Sequence, residues 1–323
     1  MSKLLVVFGA TGQQGGSVID FVLNDPELSK EYSLRAITRD ASKSAGQALQ
    51  KRGVEVVSAD IDDSQSLHAA VANAHTVFIV TTTVYDEHLK SREFRQGKAA
   101  ADASVAAGAK YLIFSTTPAC ERLWGHRVDS FDSKAEIESY IRELPIGSAF
   151  FAPGMFMQNF LTNQIPRPVP GQEGGELTYA IANFISPDAP FPLIEAAKDS
   201  GKYVAAILAA PEKYADSTLS AATGFYSYRE VAEIITRITG KKTIYAQIPQ
   251  EQWISYLPPN YQHSMSAMMC WIEKPGYYGP QTKELVDWTV KQARGKLTSL
   301  EEFIEEHAKE IFPDIGLIKP CKS

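Results

Sequence analysis

Short apolar runs recur through the first half of this 323-residue chain, and each is too short to form the core of a helix. The six runs cover residues 4–8, 34–37, 54–57, 77–80, 111–114 and 149–152. Between them lie stretches with helical spacing, such as Val18, Phe21 and Val22. Strands that are apolar on both faces and alternate with amphipathic helices are typical of a parallel sheet covered on both sides. Residues 1–152 are therefore predicted to form a doubly wound α/β domain.

The alternation stops after residue 152, where proline becomes frequent. Six of the 18 prolines fall between residues 166 and 192, and proline can continue neither a helix nor a central strand. The sequence predicts loop here, with one short strand at residues 177–181. Residues 153–323 are predicted to form a smaller α+β domain that provides the other wall of a cleft and returns some segments to the first domain.

Two helices in the second domain have clear start signals. Ser227 and Glu230 have the spacing of a capping box, and Gly240 is the expected end of that helix. Thr298 and Glu301 have the same spacing and are predicted to open the last helix.

Charge and cysteine content limit the functions open to this chain. Its 32 Lys and Arg against 38 Asp and Glu give a net charge of −6, which argues against direct nucleic-acid binding. Cys120, Cys270 and Cys321 are odd in number and widely spaced, which fits a reducing compartment, and the histidines lack metal-ligand spacing. No apolar run reaches the roughly 18 residues that span a bilayer. We expect a cytoplasmic protein, with the nucleus as a further location, and neither a metal site nor a membrane segment.

The first apolar run leads into three glycines, Gly9, Gly12 and Gly15, and helix-forming sequence follows at once. Gly9 permits a tight turn, Gly12 lets the backbone approach a pyrophosphate, and Gly15 lets the helix pack closely on the strand. The helix N-terminus then offers N–H donors to the phosphates. This context predicts a Rossmann-type dinucleotide site.

The residues after the second run favour NADP(H) over NAD(H). In an NAD site a carboxylate at this position accepts hydrogen bonds from the ribose hydroxyls, whereas Arg39 offers a planar fork to a 2′-phosphate. Lys43 adds a second positive charge. Asp40, one residue beyond Arg39, is the feature that argues for NAD(H).

A series of motifs resembles the NmrA-like proteins, atypical relatives of the short-chain dehydrogenases and reductases whose members include an NADPH sensor and a transcriptional repressor. The series consists of Val-Val-Phe-Gly-Ala-Thr-Gly at residues 6–12, Thr38-Arg39-Asp40, Ala59-Asp60-Ile61-Asp62-Asp63, Gln96-Gly97-Lys98 with Ala101-Asp102, and Ala152-Pro153-Gly154 with Phe156 and Asn159. The likeness continues to the closing segment that begins at Leu300. It covers nearly the whole chain.

The resemblance implies a set of cofactor contacts along the carboxyl ends of the strands. Thr11, Gln13 and Gln14 would line the pyrophosphate loop, Arg39 and Lys43 would meet the 2′-phosphate, and Asp60 and Ile61 would flank the adenine. Thr81, Thr82, Ser115 and Thr116 would line the path to the nicotinamide, with Lys134 as a further cofactor ligand. Pro153 and Phe156, which follow the sixth run, are expected to face the nicotinamide from the other side.

The same resemblance leaves catalysis open. Catalytic relatives carry a tyrosine four residues before a lysine, and here Ser130 takes the place of the tyrosine while Lys134 is kept. Tyr85, His126 and Lys134 itself are the alternative proton donors. Cys120 has no neighbour in the sequence that would activate its thiol.

Residues 253–278 hold six aromatic residues and three of the six methionines, so they form either an adaptable apolar surface or the core of the second domain. The first hypothesis is an NADP(H)-binding redox sensor or transcriptional regulator that acts through a protein partner or a small aromatic ligand. The alternative is an NADPH-dependent oxidoreductase that reduces a carbonyl, an imine or an activated alkene.

Overall fold

A computed structural model of the chain describes residues 2–169 and 177–312, so Cys321 lies outside the described residues. The strands are β1 Lys3–Val7, β2 Tyr32–Thr38, β3 Glu55–Ser58, β4 Thr76–Ile79, β5 Tyr111–Ser115, β6 Gly147–Pro153, β7 Met155–Phe156, β8 Arg167–Val169, β9 Thr178–Asn183, β10 Phe191–Ile194, β11 Thr218–Ala221, β12 Gly224–Tyr226 and β13 Thr243–Gln247. The first six coincide with the six apolar runs, which confirms the prediction of strands there.

Thirteen α-helices lie in the same described ranges. They are α1 Gln13–Asn24, α2 Leu28–Glu31, α3 Ser44–Lys51, α4 Ser64–Ala70, α5 Leu89–Ala106, α6 Cys120–Trp124, α7 Asp129–Arg142, α8 Ala196–Ala209, α9 Tyr228–Thr239, α10 Gln250–Ser255, α11 Pro259–Glu273, α12 Thr282–Val290 and α13 Leu300–Ile311. Short 3₁₀ helices cover Met157–Leu161 and Pro211–Tyr214. None of the described helices is both long enough and apolar enough to cross a membrane.

Seven parallel strands form the main sheet in the order β11-β6-β5-β4-β1-β2-β3. The chain runs from β1 outward to β3 and then crosses back to β4 on the other side of β1. The strand order therefore reverses between β1 and β4, and a crevice opens there at the carboxyl ends of the strands. This is the predicted Rossmann-type doubly wound fold.

Alternate residues of the central strands pack on opposite faces of the sheet, as the period of a strand requires. Leu5 and Val7 belong to the core under α1 and α8, whereas Val6 belongs to the core under α5 and α7. Gly201 is needed where α8 crosses α1, because a Cβ there would lie 2.2 Å from the carbonyl oxygen of Ser17. The core is thus continuous on both faces of the sheet.

The second half of the chain is divided between two places. Residues 196–221 return to the first domain, where α8 packs on α1 and β11 becomes the edge strand beside β6. The other strands form two three-stranded sheets, β12-β10-β7 and β13-β9-β8, around a separate apolar core. The short strand predicted at residues 177–181 is β9, but the prediction of loop around it is partly wrong, because β8 and β10 lie in the same proline-rich stretch.

The two predicted helix starts have different outcomes. Ser227 and Glu230 form the expected capping box of α9, which ends at Gly240 in the left-handed conformation (φ +69°). The prediction of Thr298 as the cap of the last helix is wrong by one residue, because Ser299 and Glu302 form the capping box of α13. Thr298 instead donates its N–H and hydroxyl to the buried carboxylate of Asp199, at 2.9 and 3.1 Å. These two bonds engage Thr298 with Asp199, so Thr298 does not cap the helix.

Candidate functional site

The loop between β1 and α1 has the geometry that a pyrophosphate requires. Gly9 adopts φ +62°, and a Cβ on Gly15 would lie 2.4 Å from the carbonyl oxygen of Gly9, so both positions require glycine. Gly12 precedes the helix without a side-chain cap, and Thr11, Gly12 and Gln13 are exposed. The first turn of α1 carries no acidic residue. Its free N–H groups and positive dipole end therefore suit an anion.

Two cations stand at the carboxyl end of β2. Arg39 and Lys43 are exposed, and their side chains form no ion pair or hydrogen bond within the part of the chain that the structure describes. The carboxylate of Asp40 accepts bonds from the hydroxyl and N–H of Ser42, at 2.6 and 2.9 Å, and these bonds lower the pKa of Asp40. Asp40 is thus engaged by its own loop, while Arg39 and Lys43 are free to meet a 2′-phosphate.

The loop after β3 forms the next part of this edge. The N–H of Asp60 donates to the hydroxyl of Ser66, and its carboxylate accepts from the N–H of Asp62 at 3.0 Å. Asp60 is exposed, and the half-buried Ile61 packs against the core under α5 and α7. The pair presents an apolar side chain and an exposed carboxylate, a combination that suits the adenosine end of a dinucleotide.

On the other side of β1, hydroxyl groups follow β4 and β5. Ser115 donates to Oε1 of Gln14 at 2.6 Å, which joins the end of β5 to the first turn of α1. Thr81 and Thr116 are buried, whereas Thr82 is exposed. The predicted path to the nicotinamide is therefore a row of polar groups above the sheet.

Glu93 is a buried carboxylate at this edge of the sheet that sequence reasoning missed. It lies on α5, is only 1% exposed, and accepts hydrogen bonds from Ser133 at 2.6 Å and Thr81 at 2.7 Å. Lys134 on α7 places its Nζ 2.5 Å from Oε1 of Glu93 and 2.6 Å from the hydroxyl of Thr83. The hydroxyl of Thr83 lies 3.2 Å from the same Oε1. Five side chains from three segments thus form one charged network.

The electrostatics of Glu93 follow from this network. Burial raises the pKa of the carboxyl, but the Lys134 ammonium and the hydrogen bonds from Lys134, Ser133 and Thr81 outweigh burial and hold the pKa below its usual value. The signal that could have revealed Glu93 is its spacing, because it lies four residues before the buried Gly97 on the inner face of α5.

Tyr85 approaches the same place from the loop after β4. Its backbone carbonyl accepts a bond from Nδ2 of Asn260 at 2.8 Å, and its ring lies 4.5 Å from that of Tyr261. Burial raises the pKa of the phenol, and the neighbouring Ser130 hydroxyl partly opposes that shift. The Ser130 oxygen is buried and has no geometrically sound hydrogen bond among the described residues.

The other candidate donors have different surroundings. His126 is exposed beyond α6, with its ring 4.4 Å from that of Trp124. Cys120 is buried, and its burial together with the charge of Asp132 raises the pKa of the thiol. An uncharged thiol of this kind is a poor nucleophile.

The opposite wall of the cleft begins at the end of β6. Pro153 is buried there, and the half-buried Phe156 packs against the core under α1 and α8. Of the nine aromatic residues and methionines in the segment 253–278, five are buried in the core of the second domain: Trp253, Met269, Trp271, Tyr277 and Tyr278. Tyr256 and Tyr261 are exposed and Met265 and Met268 are half-buried, so the segment combines core packing with an accessible apolar surface.

The fold and this edge of the sheet define a Rossmann-fold protein with a glycine loop of the dinucleotide-binding type. The sequence matches the profile of the NmrA-like family over residues 1–304, and the chain belongs to that family.

Two curated relatives show how far the sequence similarity extends. It is 32% identical over 256 residues to the NmrA-like family domain-containing oxidoreductase ptmS of Penicillium ochrochloron, covering 75% of this chain and 74% of that one. An NmrA-like family domain-containing protein of Dictyostelium discoideum is 27% identical and covers 95% and 98% of the two chains.

Solved structures share the fold at lower identity. NmrA, a negative transcriptional regulator crystallised with NADP, superposes with a TM-score of 0.76 at 22% identity over 94% and 95% of the two chains. The triphenylmethane reductase of Citrobacter sp., complexed with NADP(H), gives a TM-score of 0.74 at 20% identity over 95% and 99%.

Proposed function

We propose that this protein binds NADP(H) and reduces a carbonyl, an imine or an activated alkene. The observation that carries the proposal is the ion pair between the buried Glu93 and the half-buried Lys134 at the carboxyl ends of β4 and β5. Burying a charge is costly unless it is paired and hydrogen-bonded, and here Lys134, Ser133 and Thr81 meet that requirement for Glu93. Perturbed, buried charges in a cleft are characteristic of sites that carry out chemistry.

The cofactor would bind along the crevice through groups already in place. The N-terminus of α1 and the backbone of the glycine loop would hold the pyrophosphate, and Arg39 and Lys43 would hold the 2′-phosphate. When bound, the cofactor supplies a hydride.

Lys134 would orient the substrate or supply its proton. Its position four residues after Ser130 is that of the lysine in catalytic relatives, and the Glu93 carboxylate fixes its Nζ. Tyr85 is the second candidate donor, because its phenol lies next to the Ser130 hydroxyl at the place where a catalytic tyrosine would stand.

The names of the relatives support an oxidoreductase. The relatives from Penicillium ochrochloron and Aspergillus flavus are both named oxidoreductases. Structural neighbours include proteins named triphenylmethane reductase and NADPH-dependent quinone oxidoreductase. Extended unsaturated compounds of this type are the first substrates to test.

The test measures oxidation of NADPH at 340 nm with a panel of quinones, enones, cyclic imines and triphenylmethane dyes. We expect at least one class to be reduced at about 1 per second or faster, a typical enzyme rate. Lys134→Gln should lower kcat at least tenfold, whereas Lys90→Gln, at a surface ion pair, should leave it unchanged. Failure of every class to react would refute the reductase.

A second candidate is a regulator that reports the cofactor state to a protein partner. One observation favours it: Ser130 stands where catalytic relatives carry a phenol, and a serine hydroxyl is a poor general acid. NADP(H) binding without turnover, together with a partner that binds the loaded protein at least tenfold more tightly than the empty one, would support this candidate.

A further inference from the structure

The position of Glu93 has a consequence for the cofactor itself. The pyrophosphate loop follows β1, and the free cations Arg39 and Lys43 lie beyond β2, so an adenosine 2′-phosphate belongs on that side of β1. An extended dinucleotide must then place its nicotinamide on the opposite side, over β4 and β5. Thr81, which follows β4, donates a hydrogen bond to Glu93.

The Glu93–Lys134 pair is neutral as a whole, and little else masks its charges. Glu93 is 2% exposed at its side chain and Lys134 is 12% exposed, so water screens them weakly. The remaining partners, Thr81, Thr83 and Ser133, are uncharged hydroxyls. Removal of the carboxylate would therefore leave the Lys134 charge uncompensated at the nicotinamide end of the crevice.

The two redox states of the cofactor differ at this end. The oxidised nicotinamide ring carries a positive charge, and the reduced ring is neutral. A local positive charge disfavours the oxidised ring and leaves the reduced ring nearly unaffected.

We propose that Glu93 is a positioning residue that holds Lys134 and, by compensating its charge, sets the relative affinity for the oxidised and the reduced cofactor. The proposal rests on the proposed function only for the presence of NADP(H) in the crevice. It holds equally for a reductase and for a regulator, because neither turnover nor a partner enters the argument.

The experiment measures Kd for NADP⁺ and for NADPH by calorimetry at pH 7.5. In Glu93→Gln we expect the ratio of Kd(NADP⁺) to Kd(NADPH) to rise on the order of tenfold, the effect of one nearby charge at intermediate dielectric. Glu93→Asp keeps the charge and should hold the ratio within threefold of wild type. Loosened packing alone would weaken both cofactors together and leave the ratio constant.

The double variant Glu93→Gln with Lys134→Gln guards against misfolding caused by one unpaired charge. It has no net local charge, so its ratio should return to within threefold of wild type. Asp102→Asn is the matched control. It removes a carboxylate that pairs with Lys98 on the same helix at 2.6 Å, nine residues or about 13 Å further along α5. Its ratio should stay at the wild-type value.

Three results would overturn the proposal: a Glu93→Gln ratio within twofold of wild type, an equal loss of both affinities, or the same shift in Asp102→Asn. Failure of the proposed reductase would appear differently, as a wild-type protein that binds both cofactors but reduces no substrate in the panel.

Discussion

The two halves of the crevice differ in the exposure and pairing of their charged side chains. On the adenosine side, Arg39 and Lys43 are exposed and form no salt bridge in the part of the chain that the structure describes, although Lys43 lies close enough to Asp40 to lower the pKa of its carboxyl. On the nicotinamide side, the buried Glu93 and the half-buried Lys134 are paired with each other and surrounded by hydroxyls. The first arrangement leaves charge available to a ligand, and the second fixes charge before any ligand arrives. If the proposed function holds, cofactor affinity and chemistry depend on different sides of β1.

The largest expected effect comes from breaking the buried pair. Lys134→Met leaves the Glu93 carboxylate buried without its cation, so we expect the free energy of unfolding at pH 7 to fall by about 3 kcal/mol. Urea denaturation followed by circular dichroism measures the loss. Lys43→Met is the control on the adenosine side and should change stability by less than about 0.5 kcal/mol. Equal losses in the two variants would remove the contrast between the halves.

The second-largest expected effect concerns cofactor affinity on the adenosine side of the crevice. Arg39→Ala should lower the affinity for NADPH tenfold to a hundredfold, because one charge-assisted contact with a phosphate is worth about 1.5 to 3 kcal/mol. The affinity for NADH should change less than threefold. Calorimetry with both cofactors measures these affinities. A wild-type protein that binds NADPH and NADH equally well would contradict the prediction that Arg39 contacts the 2′-phosphate.

Lowering the pH should reduce the difference in the free energy of unfolding between wild type and Lys134→Met. The folded protein holds the pKa of Glu93 below its unfolded value, so this carboxylate contributes stability above the unfolded pKa of about 4.3 and loses it as pH falls through the folded pKa. In Lys134→Met, burial without a cation raises the pKa of Glu93, and protonation relieves the penalty. Denaturation at pH 7 and pH 4.5 should show the gap narrowing by at least about 1 kcal/mol. A constant gap would mean that Glu93 is not the source of the loss.

The smallest effect concerns Ser130. Its hydroxyl is buried and unpartnered among the described residues, so Ser130→Ala should leave stability unchanged or raise it by up to about 1 kcal/mol. Thermal unfolding measures this. A loss above about 1 kcal/mol would show that the hydroxyl makes a hydrogen bond, with Tyr85 as the neighbouring group.

The adenosine half could be predicted from the sequence because its signals are local. Gly9, Gly12 and Gly15 lie in one short loop and the start of α1, and Arg39 directly follows β2. Their spacing in the sequence is therefore enough to predict a dinucleotide site. The strands of the sheet are also local features, since each is one short apolar run.

The nicotinamide half could not be predicted in the same way. Glu93 and Lys134 are 41 residues apart, and only the packing of α5 on α7 brings them together. From sequence alone, a glutamate within a helix is expected to be exposed to solvent, because glutamates are rarely buried unless they are paired. Thr298 illustrates the same limit, because its distant partner Asp199 overrides a valid local capping pattern.

The place of β11 in the sheet has a consequence for biosynthesis. Residues 1–152 emerge from the ribosome first, but β6 remains an open edge and the outer side of α1 stays uncovered until α8 and β11 follow. An unprotected edge strand is a template for association with other chains. We therefore expect chaperones to bind the nascent protein most strongly while residues 153–221 are being synthesised, before β11 covers the edge of β6. A shortened gene that ends at residue 152 should give insoluble product, whereas one that ends after residue 221 completes the sheet.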